Sequence, residues 1–180
     1  MVGDNGVEMY NSEWKQNLAK GQNAEIVFDT MLKTYYGNKS KQIINWDYNT
    51  DEGKEWEEKG VDHTIVLNSD FKLHTQLKAN LYNWGCYVEI SKNGKDGDFI
   101  KAEDAHRWYH FNKKTYDMIY YDLPKMQNYI LNNIIKEKKY VKEIHQDGGV
   151  TKLCKILLND EKFNGRYTYL KYIGNGRPSH

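Results

Sequence analysis

An α/β fold, with a central mixed sheet sandwiched between helices, is what this 180-residue sequence predicts, on three observations. Residues 21–37 carry apolar side chains at spacings of three and four, and residues 61–78 alternate with a period of two across a short polar turn. Pro124 then opens a second run with helical spacing. Length and aromatic content suit one domain over 1–180, with a core from about residue 20 to about residue 137 and an extension over 141–180.

In the first element, GQNAEIVFDTMLKTYYG, the residues Ala24, Val27, Phe28, Met31, Leu32 and Tyr35 form an amphipathic stripe that ends before Gly37. Glu25 lies on the flank of that stripe, where its carboxylate reaches the edge of a sheet that the helix covers. A solvent-exposed glutamate is the competing reading. The acidic run Asp51, Glu52, Glu55, Glu57 and Glu58 reads as a solvated loop, with an extra metal ligand among its members as the alternative.

Two strands follow. Val61, Ile65 and Leu67 point one way, and Asp62, Thr64 and Asn68 the other. In the second strand Phe71, Leu73, Thr75 and Leu77 alternate with Lys72, His74, Gln76 and Lys78. A turn centred on Ser69 sets Asp62 opposite Gln76, with both side chains on one side of the sheet. His63 falls on the opposite face from Asp62. His74 shares the face of Gln76 and Lys78, where a general-base role competes with that of an ordinary surface histidine.

This grouping suits phosphodiester hydrolysis, in which a divalent ion polarises the phosphoryl oxygen and lowers the pKa of the attacking water. Asp62 is the anionic candidate ligand for Mg2+; the Gln76 side-chain carbonyl and the Leu77 backbone carbonyl complete the oxygen shell with waters. Lys78 orients the water and stabilises the developing charge. The alternative is a surface hairpin, because the D-x13-QxK spacing is common.

The order helix Glu25, strand Asp62, strand Gln76-x-Lys78 resembles the PD-(D/E)xK superfamily over roughly residues 20–130. These are the restriction-endonuclease-like nucleases, which include Holliday junction resolvases and phage exonucleases. The resemblance implies a restriction-endonuclease-like α-β-α sandwich and hydrolysis of DNA by Glu25, Asp62, Gln76 and Lys78. It further implies Mg2+, with Mn2+ as substitute, held by Glu25, Asp62, Gln76 and Leu77. DNA is the implied partner, with a homodimer where two strands are cut together. The chain departs from the pattern in two places: Gly60-Val61-Asp62 replaces the nominal Pro-Asp, and Gln76 replaces the third acid, as in Mrr-type restriction enzymes. The site then has one negative charge fewer for a cation. A catalytically inactive nuclease-fold protein that binds nucleic acid or a host protein is the alternative function, and Glu89 is the candidate for a migrated acid.

Beyond the hairpin, Cys86–Ser91 reads as a strand, KNGKDGD as a turn, and 107–112 and 117–123 as two more strands. Trp108, Tyr109, Tyr116, Tyr120 and Tyr121 there are expected mainly as core, with stacking on unpaired bases as the alternative. After Pro124, Met126, Tyr129, Ile130 and Ile134 line a helix that covers the sheet. The tail from Val141 is expected to hold a short helix and a strand, with a frayed GNGRPSH end.

Net charge is only +1, but basic residues cluster at Lys92, Lys95, Lys101, Arg107, Lys113 and Lys114 and again at Lys136, Lys138, Lys139 and Lys142. Cys86 and Cys154 are too far apart in sequence for a metal-ligand motif and are expected as buried thiols. No signal peptide, bilayer-length apolar run or lipidation motif is present, so a cytoplasmic protein is expected, with no membrane partner. The wealth of Lys, Asn, Ile and Tyr suits an AT-rich genome such as that of a phage or mobile element.

Overall fold

A computed structural model describes residues 26–146, 149–173 and 177–179. The first helix, α1, is described over 26–36 and buries Phe28, Met31, Leu32 and Tyr36, one residue beyond the expected stripe. Strand β1 (Ser40–Asn45) and helix α2 (Asp51–Glu58) precede the expected hairpin of β2 (His63–Leu67) and β3 (Lys72–Lys78). β1 is an edge strand whose half-exposed SKQIIN pattern shows no clean alternation, and the acidic run expected as a loop is helix α2. Strands β4 (Gly85–Lys92) and β5 (Lys95–Asp96) and the short helix α3 (Asp98–Lys101) lead to β6 (Arg107–Phe111) and β7 (Met118–Asp122). Helix α4 (Leu123–Tyr129) is capped by Asp122, whose Oδ1 accepts the Lys125 N–H at 3.0 Å. It runs on into a π-helical turn over Ile130–Ile134. Strands β8 (Val141–Gln146), β9 (Gly149–Leu157), β10 (Thr168–Ile173) and β11 (Arg177–Ser179) complete the order.

The main sheet has the order β1-β2-β3-β6-β7-β10-β11 and is mixed, as expected, because β3 and β6 run parallel while their neighbours pair antiparallel. The fold is mixed α/β. On one face α1 packs Phe28, Met31 and Leu32 onto Ile65, Tyr109, Phe111 and Met118.

The other face departs from an α-β-α sandwich. α4 does bury Met126, Ile130 and Ile134 there, but it shares that layer with a second, antiparallel sheet of order β5-β4-β9-β8. Val88 pairs with Cys154 and Cys86 with Ile156, so the inward faces of β4 and β9 form one apolar patch against Trp108, Ile119 and Tyr121. Both thiols are buried, as expected. The segment after 141 is therefore no appendage: β9 lies inside the second sheet, and β10 pairs with β7 in the main one. The short helix expected in this tail is not found among its described residues after 141: residues 149–157 are strand β9, and turns lead from there to β10.

Trp108, Tyr109 and Tyr121 are core residues, whereas Tyr116 is 37% exposed. Among them His110 is fully enclosed, its Nδ1 2.6 Å from Asn80 Oδ1 and its Nε2 2.8 Å from the Tyr121 hydroxyl. Burial, helped by the Lys78 charge, lowers its pKa from 6.5 to about 3. The folded protein thus holds His110 neutral, while the unfolded chain takes up a proton below about pH 6.5. The contribution of His110 is complete above that pH and is lost as pH falls toward about 3, at up to about 1.4 kcal/mol per pH unit. Urea unfolding between about pH 7 and about pH 4 should therefore show a steeper loss of stability in the wild type than in His110→Gln. Equal slopes would refute the assignment.

Candidate active site

The hairpin pairing places the proposed residues. Its register sets His63 against Thr75, Thr64 against His74 and Ile65 against Leu73, symmetric about residue 69. Asp70 takes the left-handed conformation in the turn (φ 66°). Continued by one pair, this register sets Asp62 opposite Gln76, as the alternation implied. Three hydrogen bonds hold Asp62 there. Its N–H donates to Thr75 O (2.9 Å), its carbonyl accepts from the Trp46 N–H (3.0 Å), and its Oδ2 accepts from the Leu77 N–H (2.8 Å). Leu77, expected to offer its carbonyl, thus contributes its N–H to the Asp62 carboxylate.

Upstream, α2 aims this segment. Thr50 caps it by accepting the Gly53 N–H at 3.0 Å. It stops at Gly60 (φ 70°), with Gly60 N–H on Glu57 O and Val61 N–H on Trp56 O, both 2.9 Å, in the pattern of a Schellman cap. A Cβ on Gly60 would lie 2.5 Å from Ala102 Cβ.

Asp62, Gln76, Leu77 and Lys78 line a single cleft of about 610 Å³, together with Glu57, Glu58, Asp98, Lys101 and Trp108. Burial pushes the Asp62 carboxyl above its ordinary range, opposed by the Leu77 N–H, His63 and Lys78 and reinforced by Glu57. Gln76 is 8% exposed, and its Oε1 is buried without a hydrogen-bond partner among the described residues. Trp108, beside Gln76 in the parallel β3–β6 register, has a buried Nε1–H without a partner as well. An orphaned acceptor and an orphaned donor on one wall are what a ligand would satisfy. Lys78 Nζ lies 3.3 Å from Asp98 Oδ2 and 5.8 Å from the Trp108 ring centre.

Glu25 lies outside the described residues. The acid of α1 that meets the sheet is Asp29, one turn further on, whose Oδ1 is 3.0 Å from His63 Nε2 and whose Oδ2 accepts from Asn45 Nδ2 at 3.2 Å. Burial works to raise its pKa, but the bonds from His63 and Asn45 outweigh it and hold the carboxyl below its ordinary value. His63 and Asn45 also line the cleft. His74 does not. Its Nδ1 meets Thr64 Oγ1 at 2.9 Å, and its ring stacks between Trp56 (4.7 Å) and His106 (5.3 Å). Burial, then the neighbouring His106, lowers its pKa. Glu89 pairs with Leu153 on the second sheet, away from the cleft lining.

Asp62 and Gln76 Oε1 are hard oxygen donors on adjacent strands and fit a Mg2+-type ion. Among the described residues no three His, Cys, Asp or Glu side chains converge to hold a metal. Asp98 and Trp108 are cleft residues with no site role in the sequence pattern, and Glu57 and Glu58 belong to the acidic run that offered an extra metal ligand only as the alternative to a solvated loop. For the two glutamates a signal existed: Thr50 followed by an acidic first turn, with Gly60 after the last helical residue, marks a helix rather than a loop. No helix of the described residues is long and apolar enough to cross a membrane. No protein-family model, curated protein or solved structure matches the chain.

Two stability outcomes follow from this geometry. Because the raised pKa means that a charged Asp62 destabilises the fold above its ordinary titration range, Asp62→Asn should unfold at a higher temperature than wild type near pH 7. The gain should vanish below about pH 4, where both proteins are neutral at this position. A lower unfolding temperature at pH 7 would contradict the burial account. Gly60→Ala should lose about 1–2 kcal/mol in urea unfolding from the left-handed backbone, and more from the Ala102 collision. Unchanged stability would mean that the turn relaxes freely.

Proposed function

We propose that this protein is a divalent-metal-dependent nuclease of the PD-(D/E)xK type that hydrolyses DNA phosphodiester bonds. The observation that carries the reading is the meeting of Asp62, Gln76 and Lys78 on one wall of one cleft, with the Gln76 oxygen lacking a donor. The mixed sheet, in which the Gln76 and Lys78 strand pairs antiparallel with β2 and parallel with β6, supports a restriction-endonuclease-like core. A bound Mg2+ or Mn2+ supplies Lewis acidity and an acidified water. Asp62 and Gln76 would hold the ion, with Glu25 as the third candidate ligand. The Leu77 N–H keeps the Asp62 carboxylate oriented, leaving its other oxygen for the cleft. Lys78, steadied by Asp98, donates N–H bonds to the oxygen on which negative charge develops. The indole N–H of Trp108 offers a second donor to a phosphate oxygen. Resolvase-like or restriction-like cutting of two strands calls for two copies of the site, hence a homodimer.

One observation favours a second reading, a nuclease-fold protein that binds nucleic acid or a protein without turnover. Neutral Gln76 stands in the position of the third acid, and the described residues supply no convergent acidic trio in its place.

Supercoiled plasmid, linear duplex, single strands and a four-way junction, incubated with Mg2+, Mn2+ or EDTA, test both readings. The expected result is cutting in either metal and none in EDTA, with Asp62→Asn at background and Lys78→Ala slowed roughly 10²–10³-fold. Either metal should also raise the unfolding temperature of the wild type but not that of Asp62→Asn. DNA binding without cutting in any metal would favour the second reading; neither binding nor cutting would sink both.

A further inference from the structure

On the far side of the main sheet from the cleft lies a second cavity of about 460 Å³, bounded by the end of α1, the β2–β3 turn and the first residue of β6. Arg107 and Trp108 are neighbours on β6 and point to opposite faces, so the two cavities sit back to back across the sheet. The charges around the second one are unbalanced. Arg107 is only partly exposed, and its N–H groups go to tyrosine hydroxyls: Nη1 contacts Tyr36 Oη, which in turn lies 3.2 Å from Tyr109 Oη. Its guanidinium carbon stands 4.9 Å from the Tyr120 ring centre. Lys39, on the same cavity wall, has its Nζ 5.1 Å from the Tyr35 ring centre.

Neither cation has a carboxylate partner among the described residues: Asp70 beside the turn is taken up by Lys41 at 2.5 Å, and Asp122, opposite Arg107 in the β6–β7 register, accepts from the Lys125 N–H and meets the Lys125 ammonium. The tyrosines do not supply the missing charge. Hydrogen bonding to Tyr120, with burial, pushes Tyr35 up to about 12, and burial raises Tyr36 and Tyr109. All three stay neutral phenols at physiological pH. A partly desolvated guanidinium whose hydrogen-bond and ring partners are all neutral phenols is costly to keep unless an anion completes it. Its planar fork matches a tetrahedral oxyanion. The Ser69 hydroxyl on the cavity rim makes no hydrogen bond among the described residues and adds a donor.

We infer that the cavity formed by Arg107, Lys39 and Ser69 is an anion site for a phosphate group, separate from the Asp62 cleft. The phosphate comes either from a free phosphate compound or from a nucleic-acid backbone, and the recognising chemistry is the same. The inference does not depend on nuclease activity.

Titration calorimetry with inorganic phosphate in EDTA tests it, beside Arg107→Gln, Lys39→Gln, Asp62→Asn and Lys78→Ala. Saturable binding by the wild type, weakened about tenfold or more in the first two variants and kept in the last two, is the expected result. If Arg107→Gln fails to fold by circular dichroism, the exposed Lys39→Gln decides. No phosphate binding by the wild type, or equal binding by Lys39→Gln, would overturn the site. Competition with oligothymidylate then names the source: displacement by phosphate that depends on Lys39 assigns a nucleic-acid backbone, and lack of displacement assigns a free phosphate compound.

Discussion

The antiparallel register of β2 on β3 is the constraint on which the cleft depends. Side chains in a sheet alternate with a period of two, so a slip of one residue would carry Asp62 to a face that Gln76 and Lys78 do not share. The register is held at both ends. At the turn Asp70 accepts a left-handed backbone, and at the open end the Leu77 N–H reaches across to the Asp62 carboxylate. That second bond uses a backbone donor to orient an acid, which ties the geometry of the cleft to the same ladder that builds the sheet. The buried Ile65 and Leu73, paired with each other under α1, penalise any other register by exposing apolar surface.

The two faces of the sheet do different work. On the α1 face the aromatic core closes tightly, and Asp29 is paired there with His63 and Asn45. The opposite face is closed only in part. α4 and the second sheet bury Trp108, Ile119 and Tyr121, while the region beside α2 and α3 stays open as the cleft. The boundary between closed and open is marked by His110, whose bonds to Asn80 and Tyr121 pin the chain just after Lys78. The groups that border the cleft carry the unsatisfied chemistry: a carboxylate burdened by burial and three buried atoms, Gln76 Oε1, Trp108 Nε1 and His63 Nδ1, without partners among the described residues. Polar groups kept in such a state lower stability, and proteins retain them where a ligand is to be held.

Much of this was legible in the chain. Alternation from Val61 to Lys78 located both strands and their facing residues, since that information is local and repeats every two positions. Helical spacing likewise located α1 and α4. The edge strand β1 escaped because SKQIIN is half exposed and shows no clean alternation. The α2 run was mistaken for a loop because its charge outweighed the capping signals at Thr50 and Gly60.

By itself, then, the sequence determined which residues form the hairpin and which of its polar side chains share a face. Tertiary structure alone decided what stands across from them. Glu57, Asp98 and Trp108 reach the cleft from three separate elements, and β9 pairs with β4 although β5, α3, β6, β7, α4 and β8 lie between them in the chain. Such encounters follow from the packing of whole apolar faces, a collective free energy that no short window of sequence carries. The position of Asp62 opposite Gln76 was written in a period of two residues; the depth at which that pair is buried was written in the core around it.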